Sequence, residues 1–369
     1  MKRQLLASLT LGLTVATTPI VLAYPLDGYG DTGIRRLEAS RLAHEGQIKG
    51  PKQPPGALLP TSEVDLRLLG RADMPLPAPD PAFSAQIVKL LGRNAERYGL
   101  AVLDLSDPDN PRYAEHRGDY KQNVGSVGKL VVALSVFQAM ADIWPQVDDR
   151  IELLRTRVIT ADDFAHWDHH TVRMFDVDSH KLTRRAIKDG DQATLWEYLD
   201  WMISPSSNAA AGMLMREAML MRQYGAMYPP SPEEISRFFK ETPKKELTAL
   251  FERTFFEPLT RNGFDLEQFR QASFFTRQGK RNVPGPGSSY ATARQLMRLG
   301  LLMEQGRLVD EFSSRQLKGS PMSPSDVSVM LHRQNSPAVR STSSPVHSTA
   351  ARKSPTSTVA STRATGRTI

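Results

Sequence analysis

Apolar and polar positions fall into clear periods once the chain passes Pro81. From Ala82 to Arg97, Phe83, Ile87, Leu90 and Leu91 lie at helical spacing, and Tyr98-Gly99-Leu100-Ala101-Val102-Leu103-Asp104-Leu105 then reads as a buried strand. The cluster from Ser106 to Pro111 is a turn, and a second strand is predicted near Arg112 to His116. Leu130-Val131-Val132-Ala133-Leu134-Ser135-Val136-Phe137 is a continuous apolar run that predicts a buried helix opening at Ser126. Leu195, Tyr198, Leu199, Met202 and Ile203 mark one face of a later helix, Ser204-Pro205-Ser206-Ser207-Asn208 interrupts it, and a second helix from Ala209 to Arg222 resumes it. Another helix is predicted over Glu246 to Phe256. After the Pro284 to Gly287 turn, Ser288 to Ala293 opens an amphipathic helix through Leu296, Leu299, Leu302 and Met303, and a short helix reaches Leu317. Helix, strand, turn, strand and helix in that order give an α+β beginning.

The two ends differ from this middle. Lys2 and Arg3, an apolar stretch from Leu5 to Leu22, and small residues at Val21 and Ala23 predict an export signal over residues 1–23, cleaved before Tyr24. No later run reads as long and apolar enough to cross a membrane, so the expected product is periplasmic or secreted, without stable membrane insertion. Residues 24–80 combine a short helix around Ile34 to Glu45 with a proline-studded stretch that reads as an extended arm over the surface. Residues 318–369 have no Phe, Trp or Tyr, carry nineteen Ser or Thr, and predict a disordered tail.

The formal charge of +7 suggests anionic partners until its location is read. The tail holds seven basic residues against Asp326 alone, which leaves the body nearly neutral and argues against nucleic acid as a partner. The absence of cysteine excludes disulfides, a catalytic thiol and thiolate metal sites.

Candidate chemistry centres on Ser126 and Lys129, since no other serine in the chain has a lysine three residues later. Residues three apart share a helix face, which brings hydroxyl and amine within hydrogen-bonding reach. The positive end of the helix dipole and the burial of the flanking segment disfavour an ammonium ion there, leaving a neutral amine able to take the serine proton. Ser204 to Asn208 wedges polar residues between two apolar helices, which is expensive without partners; a site and a capped turn both account for it. Three histidines and several aspartates between Asp162 and His180 offer metal-ligand chemistry, although an exposed, hydrogen-bonded loop explains the tract more simply.

With Ser126-Val127-Gly128-Lys129 heading a buried helix, Ser206-Ser207-Asn208 between two helices, and the Ile187-Lys188-Asp189-Gly190-Asp191 turn before them, the chain resembles the serine β-lactamases and penicillin-binding transpeptidases. Ser288 to Leu296 also looks like that family's helix after the active-site loop. The resemblance covers about residues 82–317. It implies helices packed on a mostly antiparallel sheet plus an all-helical subdomain. It also implies Ser126 as acylated nucleophile, Lys129 as its base, Ser206 as proton relay toward the leaving nitrogen, and Asn208 as the amide that orients lysine and substrate. No metal or organic cofactor is implied, and the substrates would be β-lactams or peptidoglycan-related amides.

The departures from the family are equally specific. Its third motif, a Lys-Thr/Ser-Gly triplet on an edge strand, is missing; Lys318-Gly319-Ser320 is the weak candidate, and it reads as a helix end with a glycine stop. The sheet is therefore expected to be incomplete after residue 317, as a shifted reading frame or truncated gene would leave it. Among Glu246, Glu252 and Glu257, only Glu257 before Pro258 offers a deacylating carboxylate, and helix-surface roles explain all three. Two rival functions follow: a catalytically inactive wall-binding or interaction protein on the same scaffold, and a metal-dependent hydrolase using the tract from His166 to His180.

Overall fold

The computed structural model describes residues 28–50 and 61–319; the predicted export signal and the tail beyond Gly319 lie outside them. Helices α1 (Gly28–Thr32) and α2 (Arg35–His44) come first. Helix α3 (Pro81–Leu91) follows, started by the Asp80 carboxylate, which accepts the Phe83 N–H, and by Pro81 in its first turn. The predicted strands β1 (Leu100–Asp104) and β2 (Arg112–His116) pair antiparallel, Val102 opposite Ala114. Then come α4 (Lys129–Ile143), α5 (Val147–Thr156), β3 (Val158–Thr160), β4 (Val172–Asp176), β5 (Lys181–Arg185) and β6 (Gln192–Thr194). Strands β4 and β5 form a hairpin, enclosed by the pairing of β3 with β6. The remainder is helix α6 (Leu195–Ile203), α7 (Asn208–Tyr224), α8 (Pro232–Glu241), α9 (Lys244–Phe255), α10 (Glu257–Arg261), strand β7 (Phe269–Arg270), α11 (Arg277–Asn282), strand β8 (Tyr290–Ala291), α12 (Ala293–Glu304) and α13 (Glu311–Gly319).

The α+β expectation holds, with a different balance. Among the described residues the strands form four separate antiparallel pairs instead of one sheet, so helices build most of the core. Its centre is α4 packed on α7, with α6 and α9 beside them. Every residue of α4 from Lys129 to Met140 is buried, which is why its sequence is apolar all round. One expectation needs correcting. Gly125–Ile143 is in fact long and apolar enough to cross a membrane by length and composition, but here it is the core helix, surrounded by protein.

The short helix predicted around Ile34 to Glu45 is α2. Ile34, Leu37 and Leu42 are buried, and α2 lies against β4, held by Arg36 pairing with both oxygens of Asp200 on α6 (2.5 and 2.6 Å) and by Arg35 to Glu197 (2.8 Å). Past residue 60, Leu66 and Leu68 are buried too, and the Leu68 N–H donates to the Glu304 carbonyl at the end of α12. Among the described residues, α2 and the segment past residue 60 therefore lie over core surface as a strap.

Candidate active site

Ser126 lies in a 3-10 turn, Gly125–Gly128, that runs directly into α4. Side chains three apart eclipse in that tighter geometry, which brings Ser126 and Lys129 together more closely than an α-turn would. The Lys129 amine is 3.1 Å from the Ser126 hydroxyl. It is also 2.7 Å from the Ser206 carbonyl oxygen, 3.0 Å from the Ser206 hydroxyl and 2.9 Å from Asn208 Oδ1, with the Phe275 ring centroid 4.9 Å away. Lys129 is only 2% exposed, whereas Ser126 is half-buried and open to solvent.

Four oxygen neighbours constrain the proton arrangement. The Ser206 carbonyl and the Asn208 amide oxygen can only accept, so each needs an N–H from the amine. The two hydroxyls can donate as well as accept. A neutral amine with two N–H bonds and one lone pair can therefore satisfy both carbonyl-type oxygens and still receive a proton from one serine.

The polar knot between α6 and α7 presents these groups. Helix α6 ends at Ile203, and Ser207 caps α7 by accepting the Ala210 N–H (3.1 Å). Ser206 holds φ +61, a left-handed conformation uncommon outside glycine, and offers both its carbonyl and its hydroxyl to the amine. Asn208, the first residue of α7, supplies the fourth contact. Ser126, Lys129, Ser206 and Asn208 thus meet around one amine.

Asp168 stands behind the knot, a residue that the sequence marks only as part of the histidine tract. Its carboxylate, 2% exposed, accepts from the Ser207 hydroxyl (2.9 Å) and the Ala209 N–H (2.8 Å) on one oxygen. The other oxygen accepts from the His170 N–H (3.1 Å) and its ring Nδ1 (2.6 Å). Burial alone would raise this carboxyl, but the Ala209 N–H, His170 and Ser207 outweigh it and hold it below the ordinary aspartate range.

Donor atoms of Asp168, His169 and His170 lie within 4.8 Å of one another, the one such cluster among the described residues. A cation there would compete for carboxylate lone pairs that four hydrogen bonds already use. His166 instead pairs with Asp189 (2.6 Å), and His180 stacks on Phe175, so the tract does not converge as a ligand set. It also contains the β4–β5 hairpin in place of a plain loop.

A cavity of about 580 Å³ lined by Trp167, Asp168, His169, Phe275, Arg277 and Lys280 opens beside the amine, which it reaches through Phe275. Trp167 is 71% exposed at its edge. A larger cavity, about 740 Å³, lies between Phe164, Ile235 and Phe239 and is lined by none of the four site residues. The four site residues line neither cavity; the smaller one adjoins them through Phe275, whose ring lies 4.9 Å from the Lys129 amine, and through Asp168, which bonds Ser207.

The remaining candidates lie elsewhere. Glu257 faces Arg261 (3.7 Å), which pairs with Asp142 at the far end of α4. Asp142 is thirteen residues beyond Lys129, about 20 Å along a helix, so Glu257 cannot activate water at Ser126. Glu246 and Glu252 are exposed on α9. Lys318 belongs to the last turn of α13, not to a strand, and its amine pairs with Glu304 (2.6 Å) and the Asp65 carbonyl. These are the helix-surface positions and the helix end that the sequence favours for them over a catalytic role.

Comparison with curated proteins returns no match. Among solved structures, the chain is similar to the beta-lactamase from Sphaerobacter thermophilus DSM 20745, with 16% identity and a TM-score of 0.37 over 66% of this chain and 70% of that one. It is similar to PBP-A, with 18% identity and a TM-score of 0.36 over 65% of this chain and 68% of that one. It is also similar to a PBP-A point mutant solved as its acyl-enzyme complex with penicillin-G, with 16% identity and a TM-score of 0.37 over 66% and 69%. The sequence model of the Beta-lactamase enzyme family matches residues 82–340, starting where the resemblance starts and running past Leu317. That match spans more than half of the chain, which therefore belongs to the Beta-lactamase enzyme family.

Proposed function

We propose that this protein is an exported serine acyl-transferring hydrolase that forms an acyl-enzyme on Ser126 with β-lactams or peptidoglycan-related amides. The observation that carries this reading is the position of the Lys129 amine between two hydroxyls, 3.1 Å from Ser126 and 3.0 Å from Ser206. Membership of the β-lactamase family supports the reaction class.

The neutral amine takes the Ser126 proton as the oxygen attacks the substrate carbonyl. The resulting oxyanion is stabilised by the Ser126 N–H, which stands in the first turn before α4 where amides lack intrahelical partners. When the carbon–nitrogen bond breaks, the Ser206 hydroxyl gives its proton to the departing nitrogen and recovers one from the Lys129 ammonium. The products are an ester on Ser126 and a free amine, with Lys129 neutral again. Hydrolysis of that ester then regenerates Ser126.

A fluorescent penicillin tests the reading. Covalent labelling of the folded protein, absent in Ser126→Ala, is the expected result. A folded wild-type sample that takes no label, with no acyl mass on Ser126, would favour a non-catalytic binding protein.

A further inference from the structure

Outside the four residues already assigned, the group most completely engaged near the site is the Asp168 carboxylate. Each of its oxygens accepts two hydrogen bonds, which fills the capacity of a carboxylate. The donors come from two places distant in sequence: His170 in its own loop, and Ser207 with Ala209 at the start of α7. Ser207 and Ala209 bracket Asn208, and Ser207 directly follows Ser206. Of the two residues that hold the Lys129 amine, Asn208 therefore lies between points fixed by a single anion, and Ser206 directly precedes one of them.

Ser206 needs such an anchor. Its φ of +61 is disfavoured for a residue other than glycine unless neighbouring contacts impose it, and its carbonyl reaches the amine in that conformation. A carboxylate at the first turn of α7 is also favoured by the unpaired amides and positive dipole end there. Its side chain is only 2% exposed, and both oxygens are already taken up by these protein donors.

We infer that Asp168 is a positioning residue: its buried carboxylate clamps the start of α7 so that Ser206 and Asn208 hold the Lys129 amine for acylation. The inference rests on the acyl-transfer reading for its kinetic consequence, though not for its geometry. Asp168→Asn keeps the shape but replaces one acceptor oxygen with a donor, so one backbone N–H, of Ala209 or of His170, loses its acceptor. Misplacement of a catalytic group by about 1 Å costs on the order of 100-fold in rate.

The test measures fluorescent-penicillin acylation as two constants, the affinity of the non-covalent complex and the rate of ester formation. For Asp168→Asn, a fall of roughly 10- to 100-fold in the rate is expected, with the non-covalent affinity within about twofold of wild type. Combining it with Ser207→Asp, which places a carboxylate on the N-cap itself, should restore most of the rate. A wild-type rate in Asp168→Asn, a loss confined to affinity, or no restoration in a folded double variant would each overturn the inference.

If the wild-type protein takes no label, the acylation reading fails separately, and the crystal structure of Asp168→Asn still decides the geometry. Ser206 leaving the left-handed region, with its carbonyl out of hydrogen-bonding range of Lys129, supports the clamp. An unchanged Lys129–Ser206 contact refutes it.

Discussion

Lys129 reaches Ser206 through two different atoms, the backbone carbonyl at 2.7 Å and the side-chain hydroxyl at 3.0 Å. The carbonyl contact fixes the amine whatever the hydroxyl does, which frees the hydroxyl to exchange protons. Anchoring and relay are thus separable at one residue.

Ser206→Gly is expected to separate them in practice. Glycine adopts a positive φ without steric cost, so relief of strain offsets its extra unfolded-state entropy, and stability should stay within about 1 kcal/mol of wild type. Acylation should still fall by roughly 100- to 10,000-fold, because the relay is gone. Thermal melting and penicillin labelling of the same preparation check both; equal labelling would remove Ser206 from the mechanism.

Two glycines next to the site are expected to respond differently to alanine. A Cβ on Gly212 would stand 2.3 Å from the Phe164 carbonyl oxygen, which is backbone and cannot swing aside. A Cβ on Gly128 would meet Gln271 Oε1 at 2.1 Å, the movable end of a side chain. Gly212→Ala should therefore cost more than the usual ~1–3 kcal/mol of overpacking, and Gly128→Ala less than Gly212→Ala, as urea titration would rank them.

Glu217 is fully buried between Arg216 (2.5 Å), Arg157 (3.1 Å) and the Tyr228 hydroxyl. Burial would raise its carboxyl, but the two guanidinium groups and the tyrosine hydroxyl overcome this and hold it below the ordinary glutamate range. A depressed carboxyl contributes stability above its unfolded pKa and loses it as pH falls through the folded one. Glu217→Gln is expected to lose about 3–5 kcal/mol at neutral pH, and the gap from wild type should narrow in melts taken below pH 4.5.

Glu197 shows the opposite sign. Burial raises it to about 7 despite Arg35, and its Oε1 has no hydrogen-bond partner. The unfolded chain then releases this proton at lower pH than the folded protein does, so stability falls as pH rises from 4.5 to about 7. Relative to wild type, Glu197→Gln should lack this component, seen as a flatter melting temperature across that window. Parallel curves for the two proteins would show that the carboxyl is not perturbed.

The legible parts of the sequence were those whose signal is local. Helix α4 announces itself by an unbroken apolar run, and β2 was placed at its observed ends because a turn cluster precedes it. Ser126, Lys129, Ser206 and Asn208 were readable from two short motifs, each spanning only a few residues. The β4–β5 hairpin was not, since alternate residues on β5 are charged or exposed and leave no two-residue period. Strands β3 and β6 are three residues each, too short to show one. Asp168 escaped because its bonds to Ser207 and Ala209 span about 40 residues, and beside two histidines a carboxylate looks like a metal ligand.

Arg36 and Asp200 are 164 positions apart in the chain. At a synthesis rate of about 5–20 residues per second, the guanidinium emerges on the order of ten seconds before its carboxylate exists. For most of that interval β4, against which α2 packs, has not been made either, so the piece born first is locked in late. Nascent chains stalled before and after residue 200 should differ sharply in how readily a protease clips the strap.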